Sequence, residues 1–201
     1  MPKLCSLPAG FYDRDPADVA RDLLGTWLVH HSPEGPAGGI IVETEAYRGQ
    51  HVDPASHAYR RKTPRNRTMF EQGGRAYVYF IYGNHFCLNV VAHPAGEAGA
   101  VLLRALEPRV GLELMARRRR LEKPAQLSSG PGKLCQALGI GREHNGAPFL
   151  PPESGRGLIL GRAAAVGCGI SCGPRIGVRA GADELLRFWA AGNPHVSRGR
   201  A

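Results

Sequence analysis

One segment commits this chain to antiparallel strand pairing. Residues 76–91, AYVYFIYGNHFCLNVV, hold two runs of aromatic and β-branched residues on either side of Gly83-Asn84. Glycine and asparagine accept the positive φ that a tight hairpin turn demands. We read two strands joined by a two-residue loop, which sets Tyr82 and His85 opposite each other at the tip. An ordinary half-buried hairpin alternates apolar and polar residues so that one face can meet water. Here Tyr77, Tyr79, Phe80 and Tyr82 lie on the outgoing strand, with His85 and Phe86 on the return. A finger tipped with rings calls for a partner that accepts flat groups.

Charge narrows the partner. The chain carries 26 Lys plus Arg against 17 Asp plus Glu, a net charge of +9, which favours a polyanion or an anionic surface. Five of those cations fall in RRKTPRNR, residues 60–67, just before the hairpin. Minor-groove proteins combine phosphate-holding basic residues with apolar or aromatic wedges driven between base steps. The basic loop and the ringed finger fit that pattern, so the finger reads as a tool for parting stacked bases. A solvated charge cluster is the alternative for the loop taken alone.

No apolar run reaches the ~18 residues of a membrane span, and MPKLCSLPAGFYDRD lacks the continuous apolar segment of a signal peptide. We expect no membrane partner. Five cysteines at irregular spacing suggest reduced thiols in a cytoplasm, or at the nucleoid if the source is bacterial, and not a disulfide frame. With 201 residues and 43% apolar content, one core and one domain over 1–201 are expected.

Short elements alternate along the chain. Asp15-Pro16 reads as an N-cap and first helical position, followed by the stripe Val19, Ala20, Leu23, Leu24 and a stop at Gly25. TWLVHH (26–31) and GGIIVETEAY (38–47) read as strands around a Pro/Gly loop. Residues 48–75 have no period and are expected to form a long surface loop. AVLLRALE (100–107) reads as a strand and Pro108 to about Arg120 as a helix. Ser129-Gly130-Pro131 precedes a short helix, KLCQALG, ended by Gly139. RGLILG, PRIGV and LRFWAAG close the chain, and periodicity leaves LRFWAAG open between helix and strand.

Chemically loaded residues are few. VETEAY sets Glu43 and Glu45 two apart at a strand end, hence on one sheet face. Burial disfavours the charged form of a carboxylate, which suits a general base. Strand-end glutamates also form plain ion pairs, and spacing alone leaves both readings open. Arg104 interrupts the apolar VLLRAL, and a buried arginine needs a carboxylate or phosphate partner. Asn89 interrupts CLNVV in the same way. Three polar interruptions in three strands favour a shared site.

Metal and nucleotide signals are weak. Cys168 and Cys172 lack C-x2-C spacing and a second ligand pair, so they read as ordinary thiols, with no metal site expected. SGPGK lacks the phosphate-loop pattern, although a helix N-terminus with Lys133 could hold a DNA phosphate.

In this order, VETEAY, DPASH, TPRNRTMF, YVYFIYG, FCLN, VLLRALEP and SGPGKLCQALGI resemble the alkyladenine (3-methyladenine) DNA glycosylases of mammals and many bacteria. The resemblance runs from LPAGFYDRD to GNPHVS and is densest between 40 and 140. It implies a mixed α/β (α+β) fold: a single domain with a curved antiparallel sheet, flanking helices and a protruding β-hairpin. It implies Glu45 as the base that activates water and Arg104 as the arginine holding that water and the carboxylate. Tyr47, His57 and Tyr79 would stack on and hydrogen-bond an extruded base, beside Leu102. Asn89 would disfavour the exocyclic amine of guanine, and the backbone of Ile176 would help fix the water. Tyr82 would fill the gap left in the duplex, with Asn84 and His85 at the tip and Thr63, Arg65, Arg67 and Lys133 on DNA. The Gly83-Asn84-His85 tip is smaller and less apolar than that of the mammalian relatives.

The implied activity is base excision by a monofunctional glycosylase. Alkylated purines such as 3-methyladenine or 7-methylguanine, flipped from double-stranded DNA, would lose their N-glycosidic bond to water and leave an abasic site. No cofactor and no metal are expected, and the enzyme is expected to act as a monomer. Two other classes remain open on the residues themselves. One is a noncatalytic DNA-damage-binding module, which would not use Glu45 and Arg104 together. The other is a carbohydrate hydrolase using Glu43 and Glu45 as its carboxylate pair.

Overall fold

The computed structural model describes residues 2–8, 10–163 and 169–197. Helix α1 (Pro16–Leu23) begins where the Asp15 side chain accepts from the Ala17 N–H at 2.8 Å, with proline at the first position. Strands β1 (Trp27–Ser32) and β2 (Gly35–Tyr47) form a tight hairpin in which Ser32 pairs with Gly35. The finger is β3 (Ala76–Ile81) and β4 (His85–Val91), followed by β5 (Ala100–Val110). Helices α2 (Leu112–Arg119), α3 (Pro124–Leu127) and α4 (Pro131–Leu138) come next, then β6 (Gly157–Gly161), β7 (Ile170–Gly173) and β8 (Arg187–Ala190).

All strand pairs are antiparallel. The sheet runs β3-β4-β5-β2-β1-β6, with β8 pairing β2 and β7 pairing β8. The long β2 takes β1 along Gly35–Ile40 and β8 along Glu43–Glu45 on one edge, while β5 follows the other. Bulges bend it into a curved sheet. In one of them Glu43 pairs with Ala105 and Thr44 with Leu103, which leaves Arg104 as the extra, unpaired residue of β5.

Alternation then divides the side chains between two faces. Val78, Leu88, Val90, Val101 and Leu103 join Ala20 and Leu23 of α1 and Leu134 of α4 in the main core. On the opposite face Tyr77, Val91 and Ala100 pack with Ala58 and Met69 from the 48–75 segment. That segment is therefore not simply a surface loop: Asp53, Ser56, Asn66 and Thr68 are buried as well. Among the described residues no helix is long and apolar enough to cross a membrane.

Several boundaries differ from the sequence reading. Ile81 pairs with His85, so the finger closes through three residues, Tyr82-Gly83-Asn84, and Tyr82 does not face His85. Tyr82 itself takes φ +54 and Gly83 φ +72, and the Asn84 N–H donates to the Ile81 carbonyl at 3.3 Å. Strand β5 continues through Pro108 to Val110, so the following helix starts at Leu112. Gly39 permits this, because a Cβ there would collide with the Glu107 carbonyl. RFWA is a strand, whereas PRIGV is irregular chain.

Candidate active site

A single lateral row of the sheet assembles the floor of a cavity. Tyr77 stands opposite Asn89, Asn89 opposite Leu102, and Leu102 opposite Glu45. Directly opposed residues share a face, so four strands deliver these side chains to one place. The cavity, about 190 Å³, offers room for several waters at roughly 30 Å³ each. Its walls include Tyr47, His57, Tyr79, Asn89, Leu102, Arg104 and Ile176.

Glu45 has no exposed surface and lies behind that wall. Its Oε2 accepts from the Tyr47 hydroxyl at 2.8 Å and its Oε1 from the Ile176 N–H at 2.7 Å. Nη1 of Arg104 lies 3.2 Å from Oε1. All three partners line the cavity. Glu43, also without exposed surface, is engaged differently. It meets Nε of Arg104 at 3.2 Å, Nε of Arg187 at 2.6 Å, and the N–H and hydroxyl of Ser197 at 2.7 and 2.8 Å. A carboxylate has about four acceptor positions. Among the described residues Glu43 meets that number of donors, and Glu45 meets one fewer.

The bulge explains how Arg104 reaches both acids, since an unpaired residue is free to be re-aimed. Burial works against its charge, but Glu45 and Glu43 outweigh that and raise its pKa. The expected carboxylate partner of the buried arginine is thus present twice.

Aromatic groups line the rest. Tyr79 and Tyr77 stand with ring centroids 5.5 Å apart, and the His57 ring meets the Tyr79 ring edge-on at 4.7 Å. Nδ1 of His57 lies 2.9 Å from the Tyr77 hydroxyl. Loss of water around the imidazole, and then the charge of Arg65, lower the His57 pKa. Burial pushes the Tyr77 hydroxyl up to about 12 and, with neighbouring Glu45, raises that of Tyr47 further. Asn89 is held by donating from Nδ2 to the Tyr77 carbonyl at 3.0 Å.

At the mouth, Tyr82 is 80% exposed and still contributes to the cavity wall. His85 is half-buried, its ring packed over Gly132 at the start of α4. Arg65, Arg67 and Lys133 are exposed, as is Asn84, and Thr63 is half-buried. The structure therefore gathers Tyr47, His57, Tyr79, Asn89, Leu102, Arg104 and Ile176 around one cavity with Glu45 behind them. The DNA candidates stay on the surface. Cys172 is exposed and Cys168 lies outside the described residues. Among the described residues no group of three or more His, Cys, Asp or Glu is arranged to hold a metal.

Sequence reasoning missed some supporting residues. Asn66 donates to the carbonyls of His57 and Arg61, at 2.7 and 3.0 Å, and shapes the loop that presents His57. Asp53 and Arg175 form a buried pair at 2.6 Å although they lie 122 residues apart in sequence. An aspartate and an arginine in Gly/Pro-rich chain carry no signal of burial.

The family model for methylpurine-DNA glycosylase (MPG) matches residues 10–194. A protein of Methanoculleus marisnigri, provisionally named a 3-methyladenine DNA glycosylase, is 48% identical over 96% of this chain and 99% of its own length. Similarly named proteins of Koribacter versatilis and Agrobacterium fabrum are each 46% identical, covering 97% and 96% of this chain and 94% and 92% of their own lengths. With the family match spanning the row that holds Tyr77, Asn89, Leu102 and Glu45, the chain belongs to the methylpurine-DNA glycosylase family.

Proposed function

We propose that this protein, acting as one domain and as a monomer, is a monofunctional DNA glycosylase. It extrudes alkylated purines such as 3-methyladenine and 7-methylguanine from double-stranded DNA and hydrolyses their N-glycosidic bond. The observation that carries this reading is the asymmetry of the two acids. Glu43 meets four donors, whereas Glu45 meets three, all from cavity-lining groups, and among the described residues its Oε2 has a single donor, the Tyr47 hydroxyl.

The chemistry follows from the surroundings. A purine alkylated at N3 or N7, as in 3-methyladenine or 7-methylguanine nucleotides, is cationic, so its glycosidic bond is already weakened. It enters a cavity walled by Tyr47, Tyr79 and His57, where aromatic faces attract a cation and an imidazole with lowered pKa adds no repulsion. Glu45 takes a proton from water as it attacks C1′, and its charge offsets the developing oxocarbenium character. Arg104 orients the carboxylate, its Nη1 lying 3.2 Å from Oε1. Among the described residues no lysine lines the cavity, which supports hydrolysis by water over Schiff-base chemistry and an abasic product with the strand intact.

Extrusion costs a few kcal/mol, least for a damaged pair. Exposed Tyr82 is suited to fill the vacated stack, while Asn84 and His85 at the tip and Thr63, Arg65, Arg67 and Lys133 hold the duplex. The decisive assay incubates the chain with a duplex carrying 7-methylguanine or 3-methyladenine and follows free base by chromatography. Release by the parent and not by Glu45→Gln is expected. Tight lesion binding without release would instead identify a noncatalytic damage-binding module.

A further inference from the structure

The Ile176 N–H that holds Glu45 belongs to irregular chain, and Arg175 is what anchors that chain. The Arg175 and Asp53 side chains are both wholly buried. Nη1 of Arg175 donates to Oδ2 of Asp53 at 2.6 Å and to the Ala46 carbonyl at 2.9 Å, and Nη2 donates to Oδ1 at 2.9 Å. The guanidinium carbon also lies 4.8 Å from the centroid of the Tyr47 ring. Asp53 accepts from the backbone N–H of Arg48 at 3.1 Å and of Ala55 at 3.0 Å. The pair thus ties the loop leading to His57 to the segment carrying Ile176, across the end of β2.

A buried ion pair is a poor device for stability alone, since apolar replacements of similar volume are often neutral or better. Here Nε of Arg175 is buried without a partner among the described residues, a further cost. Bidentate geometry does supply directional precision. What it aims is the immediate neighbour, Ile176, and the ring beneath it, Tyr47. These two supply the donors to Oε1 and Oε2 of Glu45.

We propose that Arg175 and Asp53 are positioning residues for the Glu45 carboxylate, holding the Ile176 N–H and the Tyr47 ring that donate to its two oxygens and so fixing its orientation behind the cavity wall. This rests on Glu45 acting on water as proposed above. Glu45 is faced by the Tyr47 hydroxyl, the Ile176 N–H, Arg104 with Glu43 behind it, and the nearby Cys87 thiol, so loss of one donor alters its hydrogen bonding without removing its charge partner.

The test measures single-turnover release of 7-methylguanine by Arg175→Lys and Asp53→Asn, with duplex affinity measured separately. Both are studied at temperatures where circular dichroism shows them folded. Should Asp53→Asn not fold, Arg175→Lys, which keeps the charge, decides. Small misplacement of a reacting group can cost up to ~10²-fold, so release should slow by roughly 10- to 100-fold while affinity changes by less than about threefold. In single-turnover titrations the loss should fall on the maximal rate and not on the enzyme concentration that gives half of it. A merely structural role would leave the maximal rate of the folded variants in place. A parent chain that releases no base overturns the functional reading and this inference with it. An active parent whose folded variants keep the maximal rate overturns this inference alone.

Discussion

Nε of Arg104 meets Oε1 of Glu43 at 3.2 Å, and this contact separates the two buried glutamates into different roles. It turns the guanidinium so that Nη1 reaches Glu45. Glu45→Gln removes the charge but keeps the shape, so binding should persist while base release falls by about 10²-fold or more, the scale of a lost general base. Glu43→Gln leaves two arginines and Ser197 facing a neutral amide. Breaking such buried pairs costs about 3–5 kcal/mol, so its signature should be a large fall in Tm with a smaller fall in rate per folded molecule. Calorimetry and single-turnover assays on both variants check this. Equal rate losses would erase the distinction.

His57 predicts a pH effect whose sign is fixed by the direction of its shift. Its pKa is lowered in the fold by loss of water and by Arg65. Relative to the unfolded chain the neutral ring is therefore favoured. That contribution to stability is present above the ordinary histidine pKa of about 6.5 and is lost as pH falls toward the lowered value. Below it, an imidazolium at the cavity would repel a cationic purine. Release of 7-methylguanine should decline on acidification more steeply in the parent than in His57→Gln. Parallel profiles would remove His57 from the cation's surroundings.

Salt tests the surface. Affinity for undamaged duplex should fall linearly with salt on logarithmic axes, as phosphate neutralisation releases counterions. Replacing exposed Arg65 and Arg67 with alanine should reduce the slope by roughly one unit per lost phosphate contact. Fluorescence anisotropy across a salt series measures it. A slope near zero in the parent would exclude a phosphate-binding surface.

The finger, the Asp15-Pro16 helix start, the SGPGK helix and the polar interruptions at Glu45, Asn89 and Arg104 were legible because each is a local violation or a local signal. What joins them is not local. The row from Tyr77 to Glu45 depends on strand register, and the bulge that frees Arg104 leaves no mark in VLLRALEP. Gly83-Asn84 suggested the shortest loop, yet Phe80 pairs with Phe86, their centroids 5.0 Å apart, and Ile81 pairs with His85. That register pushes the positive φ onto Tyr82. The end of β5 is hidden in the sequence for a similar reason. Pro108 looks like a helix start until Gly39 on the neighbouring strand lets the backbones approach.

This shifted turn sharpens the prediction for Tyr82. A tyrosine at φ +54 occupies a backbone region that favours glycine, and the residue is 80% exposed. Neither is what core packing would select. If the ring fills the space vacated by the nucleotide, Tyr82→Ala should raise the free energy of the flipped state by about 1–3 kcal/mol, the worth of one base–aromatic stack. The chemical step should be untouched. The deficit should shrink when the lesion sits opposite a mismatch or in a single strand, because extrusion there costs less. Glu45→Gln should show no such rescue, since it acts after flipping. Tyr82→Gly separates ring from backbone: it relieves the positive φ and still lacks the stack, so it should match the alanine variant in flipping while equalling or exceeding it in Tm. 2-Aminopurine placed beside the lesion reports unstacking, with release rates measured in parallel. If Tyr82→Ala unstacks the base as readily as the parent, or its deficit is the same in matched and mismatched duplex, the ring has no part in extrusion.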